Sequence, residues 1–364
     1  MKNINKIKVI ALYLPQFHQI PENDKWWGKG FTEWTNVGKA KPLFPGHYQP
    51  RVPADLGYYD LRLEETRIAQ AQMAKKFGID GFCYWHYWFG NGKELLERPF
   101  QEVLQSGKPD FPFCLGWANH TWKAKTWSPN DLDIILIEQQ YGGIQDYKEH
   151  FNKVLPAFKD DRYIKINNKP FFLIWDPNDI PNVSEFIELW NNLAKKNGLD
   201  GIHFVASVTR VEDVIIYKSY GFNAVSLDLL QKSIQNRNII RKSWFRLLRY
   251  LFNVPKIMLY EEYADYFMKN FPFGNGIYPS LIPNFDHSPR SGKFASVLIN
   301  ESPEKFGDLI RKTLKQIDTN IDNSILIIRS WNEWAEGNYL EPDLKNGTSF
   351  LEALSRELVK YYST

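Results

Sequence analysis

Lys76-Phe77-Gly78-Ile79-Asp80-Gly81-Phe82-Cys83-Tyr84-Trp85-His86-Tyr87-Trp88 carries the pattern that decides the fold. A helix-period segment closes on a glycine, and an apolar, aromatic run starts at once, the order of a helix C-cap followed by a strand. The same order returns at Lys196-Asn197-Gly198-Leu199-Asp200-Gly201 and at Ser219-Tyr220-Gly221-Phe222. Outward from these junctions, strand-like runs occupy 8–14, 79–86, 111–118, 170–175, 202–208, 222–228, 277–284 and 324–331. Most are near-continuous in Val, Ile, Leu and aromatics, as parallel strands buried on both faces require. Amphipathic stretches at 62–77, 94–106, 144–158, 183–197, 211–219, 261–270, 303–318 and 347–361 alternate with them. Eight β/α units predict an α/β protein, a single (β/α)8 TIM barrel over 1–364. A doubly wound sheet would carry a glycine-rich phosphate loop after its first strand. Here that strand runs instead into Pro15-Gln16-Phe17-His18. Two long βα-loop insertions are expected, 15–61 and 229–260.

A chain of 364 residues buries a large core without staples. Cys83 and Cys114 supply neither a disulfide framework nor a thiolate zinc site. The 43% hydrophobic and 24% charged fractions are those of a folded globular protein. Basic and acidic side chains nearly cancel, 45 against 42, so the net charge of +3 gives no reason to expect nucleic acid as a partner. Val9 to Leu14, behind Lys2, Lys6 and Lys8, is too short for the apolar region of a signal peptide and reads as the first strand. No stretch approaches the roughly 20 apolar residues of a membrane span, and a cytoplasmic location is expected. The unusual figure is 16% aromatic residues, 13 of them tryptophan.

In such a barrel, function gathers where strands end and βα-loops begin. These ends combine rings with polar groups: Tyr13, Gln16 and His18 after the first strand, Trp85, His86 and Tyr87 at the second, Trp117, Asn119, His120 and Trp122 after the third. Trp175 and Asp176 close the fourth, Asp286, His287 and Arg290 the seventh, and Trp331, Asn332 and Trp334 the eighth. The first insertion adds Trp26, Trp27, Glu33 and Trp34. Indoles that lie against the C–H faces of a pyranose, interleaved with donors and acceptors for its hydroxyls, are what a carbohydrate requires. A single buried tryptophan needs no such explanation, and it is the recurrence at several strand ends that points to a sugar.

Glu333 and Glu336 stand at the end of the eighth strand. Carboxylates three apart diverge on a strand and converge only if the chain turns, which Gly337 suggests. Two carboxylates flanking a bond are the equipment of glycosidic chemistry, and neighbouring rings plus a second negative charge would keep one of them protonated. His86, His120 and His287 follow strands without the spacing of metal ligands, so they read as substrate hydrogen-bonders or as structural histidines, and no metal or cofactor is expected. Asp131-Leu132-Asp133 is the one motif suited to a divalent cation and a diphosphate, a spacing that is common by chance.

Several of these motifs resemble the WbsX family: Tyr13 to His18, Trp26 to Trp34, Gly81 to Phe89, Asn284-Phe285-Asp286-His287-Ser288-Pro289-Arg290, and Trp331 to Gly337. Its members accompany bacterial O-antigen and other surface-polysaccharide genes and are named glycosyltransferases, and the family in turn is similar to glycoside hydrolase family 99, the endo-α-mannosidases and endo-α-mannanases. The resemblance implies a (β/α)8 barrel acting on a mannose-like sugar of a polysaccharide. The hydrolase motif Glu-Trp-x-Glu falls on Glu333-Trp334-Ala335-Glu336. By that resemblance Glu333 would deprotonate the substrate 2-hydroxyl, which attacks its own anomeric carbon, and Glu336 would protonate the leaving oxygen and then activate water. One position departs: where WbsX-like sequences commonly have Glu after Trp-Ala-Asn, this chain has His120.

Three readings remain open: a retaining endo-glycosidase, a glycosyl-transferring enzyme of polysaccharide assembly, and a non-catalytic carbohydrate-binding barrel. Transglycosylation, with a sugar hydroxyl in place of water, reconciles the first two. The insertion 229–260 has seven basic residues and no acid. It reads as an ordinary surface insertion or as a basic helix, Trp244, Phe245, Leu248 and Phe252 against Arg241, Lys242, Arg246 and Arg249, suited to peripheral contact with an anionic inner-membrane face.

Overall fold

The computed structural model describes residues 6–124, 134–237, 239–318 and 324–363. Eight parallel strands close on themselves: β1 (Lys8–Tyr13), β2 (Gly81–Trp88), β3 (Phe113–Trp117), β4 (Lys169–Ile174), β5 (His203–Val208), β6 (Ala224–Leu227), β7 (Ile277–Leu281) and β8 (Ile325–Ile328). Each pairs with the next, and Lys8 opposite Ile325 joins β1 to β8 while Ile10 opposite Gly81 joins it to β2. All eight fall within or beside the expected runs. The helices between them also lie where the periodicity puts them: α1 (Glu64–Lys76), α2 (Arg98–Ser106), α3 (Gly143–Lys159), α4 (Val183–Lys196), α5 (Asp213–Ser219), α6 (Tyr260–Asn270), α7 (Pro303–Leu314) and α8 (Ser349–Tyr362). The chain is a (β/α)8 barrel.

Strand alternation sorts the side chains into two layers. On β2, Tyr84 packs on Phe100 of α2, and His86 and Trp88 stack on His150 of α3. Trp85 and Tyr87 therefore point the other way, into the barrel. Gly116 of β3 makes room there, because a Cβ at that position would sit 3.1 Å from the Trp85 ring. The outer layer is an aromatic core centred on Trp190 of α4, which is buried against Phe151, Phe172 and Phe186.

Both insertions are structured. The first holds two short helices, Pro21–Trp27 and Glu33–Lys39, the first opened by proline and the second by a capping box at Thr32. The second holds helices Leu230–Gln235 and Ile239–Phe252 and a strand, Lys256–Leu259, paired in parallel with Ser296–Ile299 beyond β7. That two-stranded sheet was not expected from the sequence. Four-residue strands carry too little pattern to be read there.

Candidate active site

The β8 exit builds the carboxylate pair. Asn332 accepts from the Leu14 N–H at 2.7 Å and donates to its carbonyl at 3.0 Å, tying the chain to the end of β1. Asn332–Glu333 then pairs antiparallel with Asn338–Tyr339 across one 3₁₀ turn, Trp334–Glu336. Three residues per turn bring positions i and i+3 to one side, so Glu333 and Glu336 converge. Gly337 ends the turn at φ +53°, where a Cβ would lie 2.7 Å from the Cβ of Asp286. Only glycine satisfies both demands. Trp334 goes to the other side, buried flat on Tyr339 with 3.9 Å between ring centres, and its N–H reaches Glu341 at 2.6 Å.

Arg290 is the hub of the charges. Its guanidinium lies 2.6 Å from Glu336, 3.1 Å from Glu33 and 3.5 Å from Glu333. Burial alone would loosen its proton, but Glu33, Glu336 and Glu333 outweigh that and raise its pKa. Arg329 stands nearby, ion-paired to Asp228 and 5.1 Å over the Trp175 ring. Glu333 is pushed up to about 8 by burial, then by the charge of Glu336, against the pull of Arg290. Its Oε2 makes no hydrogen bond among the described residues. Burial and the charge of Glu336 thus favour the protonated form of Glu333, while Arg290 lies closest against Glu336. His287 approaches Glu336 at 3.9 Å, and the Tyr87 hydroxyl is raised by burial and then by the charge of Glu333, which marks it as a neighbour of the pair.

Around the pair, Trp85 meets Trp175 edge-on at 5.5 Å, and Tyr87 meets Trp122 at 5.2 Å. Trp122 in turn contacts Trp26 of the first insertion. His120 and Asp176 are exposed at the same end of the barrel, and burial and then Asp179 raise the Asp176 carboxyl. Gln16 is half-buried, and its carbonyl receives the Glu33 N–H at 3.2 Å.

Other expected site residues are turned into the protein. His86 faces the helix layer, its Nε2 2.9 Å from Nε2 of His150, and Trp117 packs there on Phe186. Tyr13 donates to Gln70 at 2.7 Å, and buried His18 meets the Pro15 carbonyl at 3.0 Å. Asn119 clamps the Asp176 backbone from both sides at 2.6 and 2.9 Å. Asp286 accepts from His47 at 2.8 Å, Gln49 at 2.6 Å and the Ser288 N–H at 2.9 Å. Burial would raise that carboxyl, but His47 and Arg51 lower it to about 2. Trp331 is buried against Phe82, and Trp34 donates to the Tyr59 carbonyl at 2.8 Å. These residues frame the site rather than line it.

Sequence reasoning noted Glu33 in the first insertion without giving it a role, and did not select Arg329 or Glu341. Glu341 lies fully buried behind the turn, accepting from Trp334, Gln70 at 2.7 Å and Tyr59 at 2.9 Å, and burial still pushes it up to about 7. Among the described residues no three His, Cys, Asp or Glu side chains gather as metal ligands, and no helix is long and apolar enough to cross a membrane. Asp131 and Asp133 lie outside the described residues. A cavity lined by Lys169, His203 and Tyr278 opens at the opposite end of the barrel, away from these charges.

An aromatic mouth and paired carboxylates on a (β/α)8 barrel define a carbohydrate-active protein. Residues 9–354 match the family described as Glycosyltransferase WbsX, and the chain belongs to that family. The uncharacterized protein WxcX of Xanthomonas campestris pv. campestris is 34% identical over 357 residues, which is 97% of this chain and 50% of that one. The chain thus spans about half the length of the curated relatives it matches. Among solved structures, a GH99 endo-α-mannosidase from Bacteroides thetaiotaomicron superposes with a TM-score of 0.60 at 12% identity, covering 98% of this chain and 97% of that one. A glycoside hydrolase-like protein gives 0.59 at 14%, covering 98% and 95%. At such identities the likeness is one of fold.

Proposed function

We propose that the chain acts at a glycosidic bond of a bacterial oligosaccharide or polysaccharide, on a mannose-like sugar with a free 2-hydroxyl, using Glu333 and Glu336 and retaining anomeric configuration. The observation that carries this reading is the convergence of the two carboxylates on Arg290, 2.6 Å from Glu336 and 3.5 Å from Glu333. Glu333 takes the 2-hydroxyl proton as O2 attacks C1, and the bond from C1 to the leaving oxygen breaks as Glu336 gives that oxygen its proton. Water or a sugar hydroxyl, deprotonated by Glu336, then opens the 1,2-anhydro sugar at C1, and O2 recovers its proton from Glu333. Two inversions return the original configuration.

This sequence needs the proton on Glu336 at the start, whereas the free site favours Glu333. Substrate binding has to reverse that preference. A 2-hydroxyl donating to Glu333 stabilises its ionised form, and Glu33 offers Arg290 an alternative partner as Glu336 becomes neutral. One shared proton suffices throughout.

The family's description favours transfer as the fate of the anhydro intermediate, with an acceptor hydroxyl in place of water. The test is to incubate the purified chain with defined α-mannosides and with its own organism's surface glycan and to size the products. Shorter products support hydrolysis and longer ones transfer. Unchanged glycans that still bind the protein leave the non-catalytic barrel as the reading.

A further inference from the structure

The helix Ile239–Phe252 presents an apolar stripe to solvent. Trp244, Leu247 and Leu251 share one face by their three- and four-residue spacing and are 58, 47 and 59% exposed. Tyr250 and Phe252 extend the patch at 86 and 66%. The other side of the helix is the one held by the protein. The Arg237 guanidinium covers Phe245 with 5.5 Å to the ring centre, Arg241 pairs with Glu262 at 2.7 Å, and Lys242 donates to the Gln235 carbonyl at 3.1 Å. A surface helix normally buries its apolar stripe, and a contiguous exposed patch of this kind marks an interaction surface.

Charge and position identify the occupant. The segment 229–260 has seven basic residues and no acid, and Arg246, on the same helix, and Lys256, four residues past its end, are exposed. Apolar and amphipathic aromatic side chains on a segment rich in cations and free of acids match acyl chains beneath anionic headgroups. The helix follows β6, so it stands at the end of the barrel that bears the carboxylates. It leads into Lys256–Leu259, which pairs with Ser296–Ile299, and Val297 of that strand bridges to Asp286, four residues before Arg290. We propose that Ile239–Phe252 docks the barrel on an anionic bilayer through Trp244, Leu247 and Leu251, bringing its mouth to saccharides carried at the membrane surface. The docking does not depend on the reaction proposed above.

The test is co-sedimentation of the full chain with vesicles of phosphatidylcholine, with and without phosphatidylglycerol. Binding to the anionic vesicles at low salt, lost at high salt and absent without phosphatidylglycerol, is the expected result. The triple variant Trp244→Ser, Leu247→Ser, Leu251→Ser should lower vesicle affinity about tenfold or more, because it removes the inserting surface. Arg246→Gln with Lys256→Gln should lower it by about tenfold through lost attraction to the headgroups. Circular dichroism verifies that the variants fold. No binding of the wild type to anionic vesicles overturns the proposal, as does equal binding by the triple variant. So does lipid-free self-association, seen by light scattering and abolished by the triple variant, since the stripe would then belong to a second copy.

Discussion

Replacing Glu333 by glutamine should make the protein harder to unfold, and by an amount that depends on pH. The Glu333 carboxyl rises from an ordinary value of 4.5 to about 8 in the folded state. The sign follows from linkage: between those values the folded protein binds more protons at this site than the unfolded chain, so wild-type stability falls as pH rises through the window and levels off above it. At about 1.36 kcal/mol per pKa unit, the full shift would cost about 5 kcal/mol above pH 8 and about 3 kcal/mol at pH 7. Part of that shift comes from the charge of Glu336 and belongs to the pair, so about 2–3 kcal/mol at pH 7 is expected. Glutamine keeps the shape and never ionises. An unfolding entropy of about 0.8 kcal/mol/K for a chain of this length turns that into a Tm gain of roughly 3–4 °C. Thermal melts of wild type and Glu333→Gln from about pH 5 to about pH 9 should show a gap that is small at the acid end and widest at the alkaline end. The Glu341 carboxyl, raised to about 7, slopes both curves alike and cancels in the difference. A gap that is constant with pH, or a variant less stable at every pH, would refute the electrostatic account.

The remaining expectations concern the same charges. Glu33→Gln removes one of the three carboxylates around Arg290, so more of that guanidinium's field falls on Glu333 and its pKa drops; the alkaline limit of activity should move to lower pH, whereas a merely structural role would lower the rate at every pH alike. Gly337→Ala should cost on the order of 2–4 kcal/mol, read as a lower denaturation midpoint, because the residue combines a left-handed φ with a Cβ driven into Asp286. Activity should survive chelators; loss that manganese restores would overturn this and bring Asp131 and Asp133 into the site. Glu336→Gln should abolish turnover of a natural glycan but spare the first step on a dinitrophenyl glycoside, where general acid help of about 10²–10⁴-fold is not needed, while Glu333→Gln should fail on both; equal rescue of the two would mean that the roles are misassigned.

The barrel was legible because most of its strands are buried on both faces and read as near-continuous apolar runs, three of them opened by glycine caps at Gly78, Gly198 and Gly221. The carboxylate pair was legible because a strand end, two acids and a glycine lie within the seven residues 331–337. What makes that pair unequal was not. Glu33 is 257 residues from Arg290 in the chain, and no local pattern says that an acid at the start of a loop helix will face an arginine after β7. Arg329 was hidden for the opposite reason, as one more residue within a strand run. The placement of His86 was available and went unused, since alternation sets it opposite to Trp85 and Tyr87, which are both directed into the barrel.

That inequality bears directly on how the site can work. Two acids alone in a greasy mouth would share one proton evenly and have no reason to take different parts. Arg290 breaks the symmetry by lying nearer Glu336 than Glu333, and Glu33, itself buried, keeps the arginine from committing wholly to either. The free site then favours the proton on Glu333, which in the proposed reaction is the unreactive arrangement for attack by a 2-hydroxyl. On the proposed mechanism, a sugar that places that hydroxyl on Glu333 would do more than occupy the cleft, because it would move the proton to the carboxyl that must give it up. A ligand without a 2-hydroxyl in that position would leave the proton where it was. If the proposed reaction holds, the electrostatics of the free site favour substrates that can supply their own nucleophile, and discriminate against others before any bond is broken.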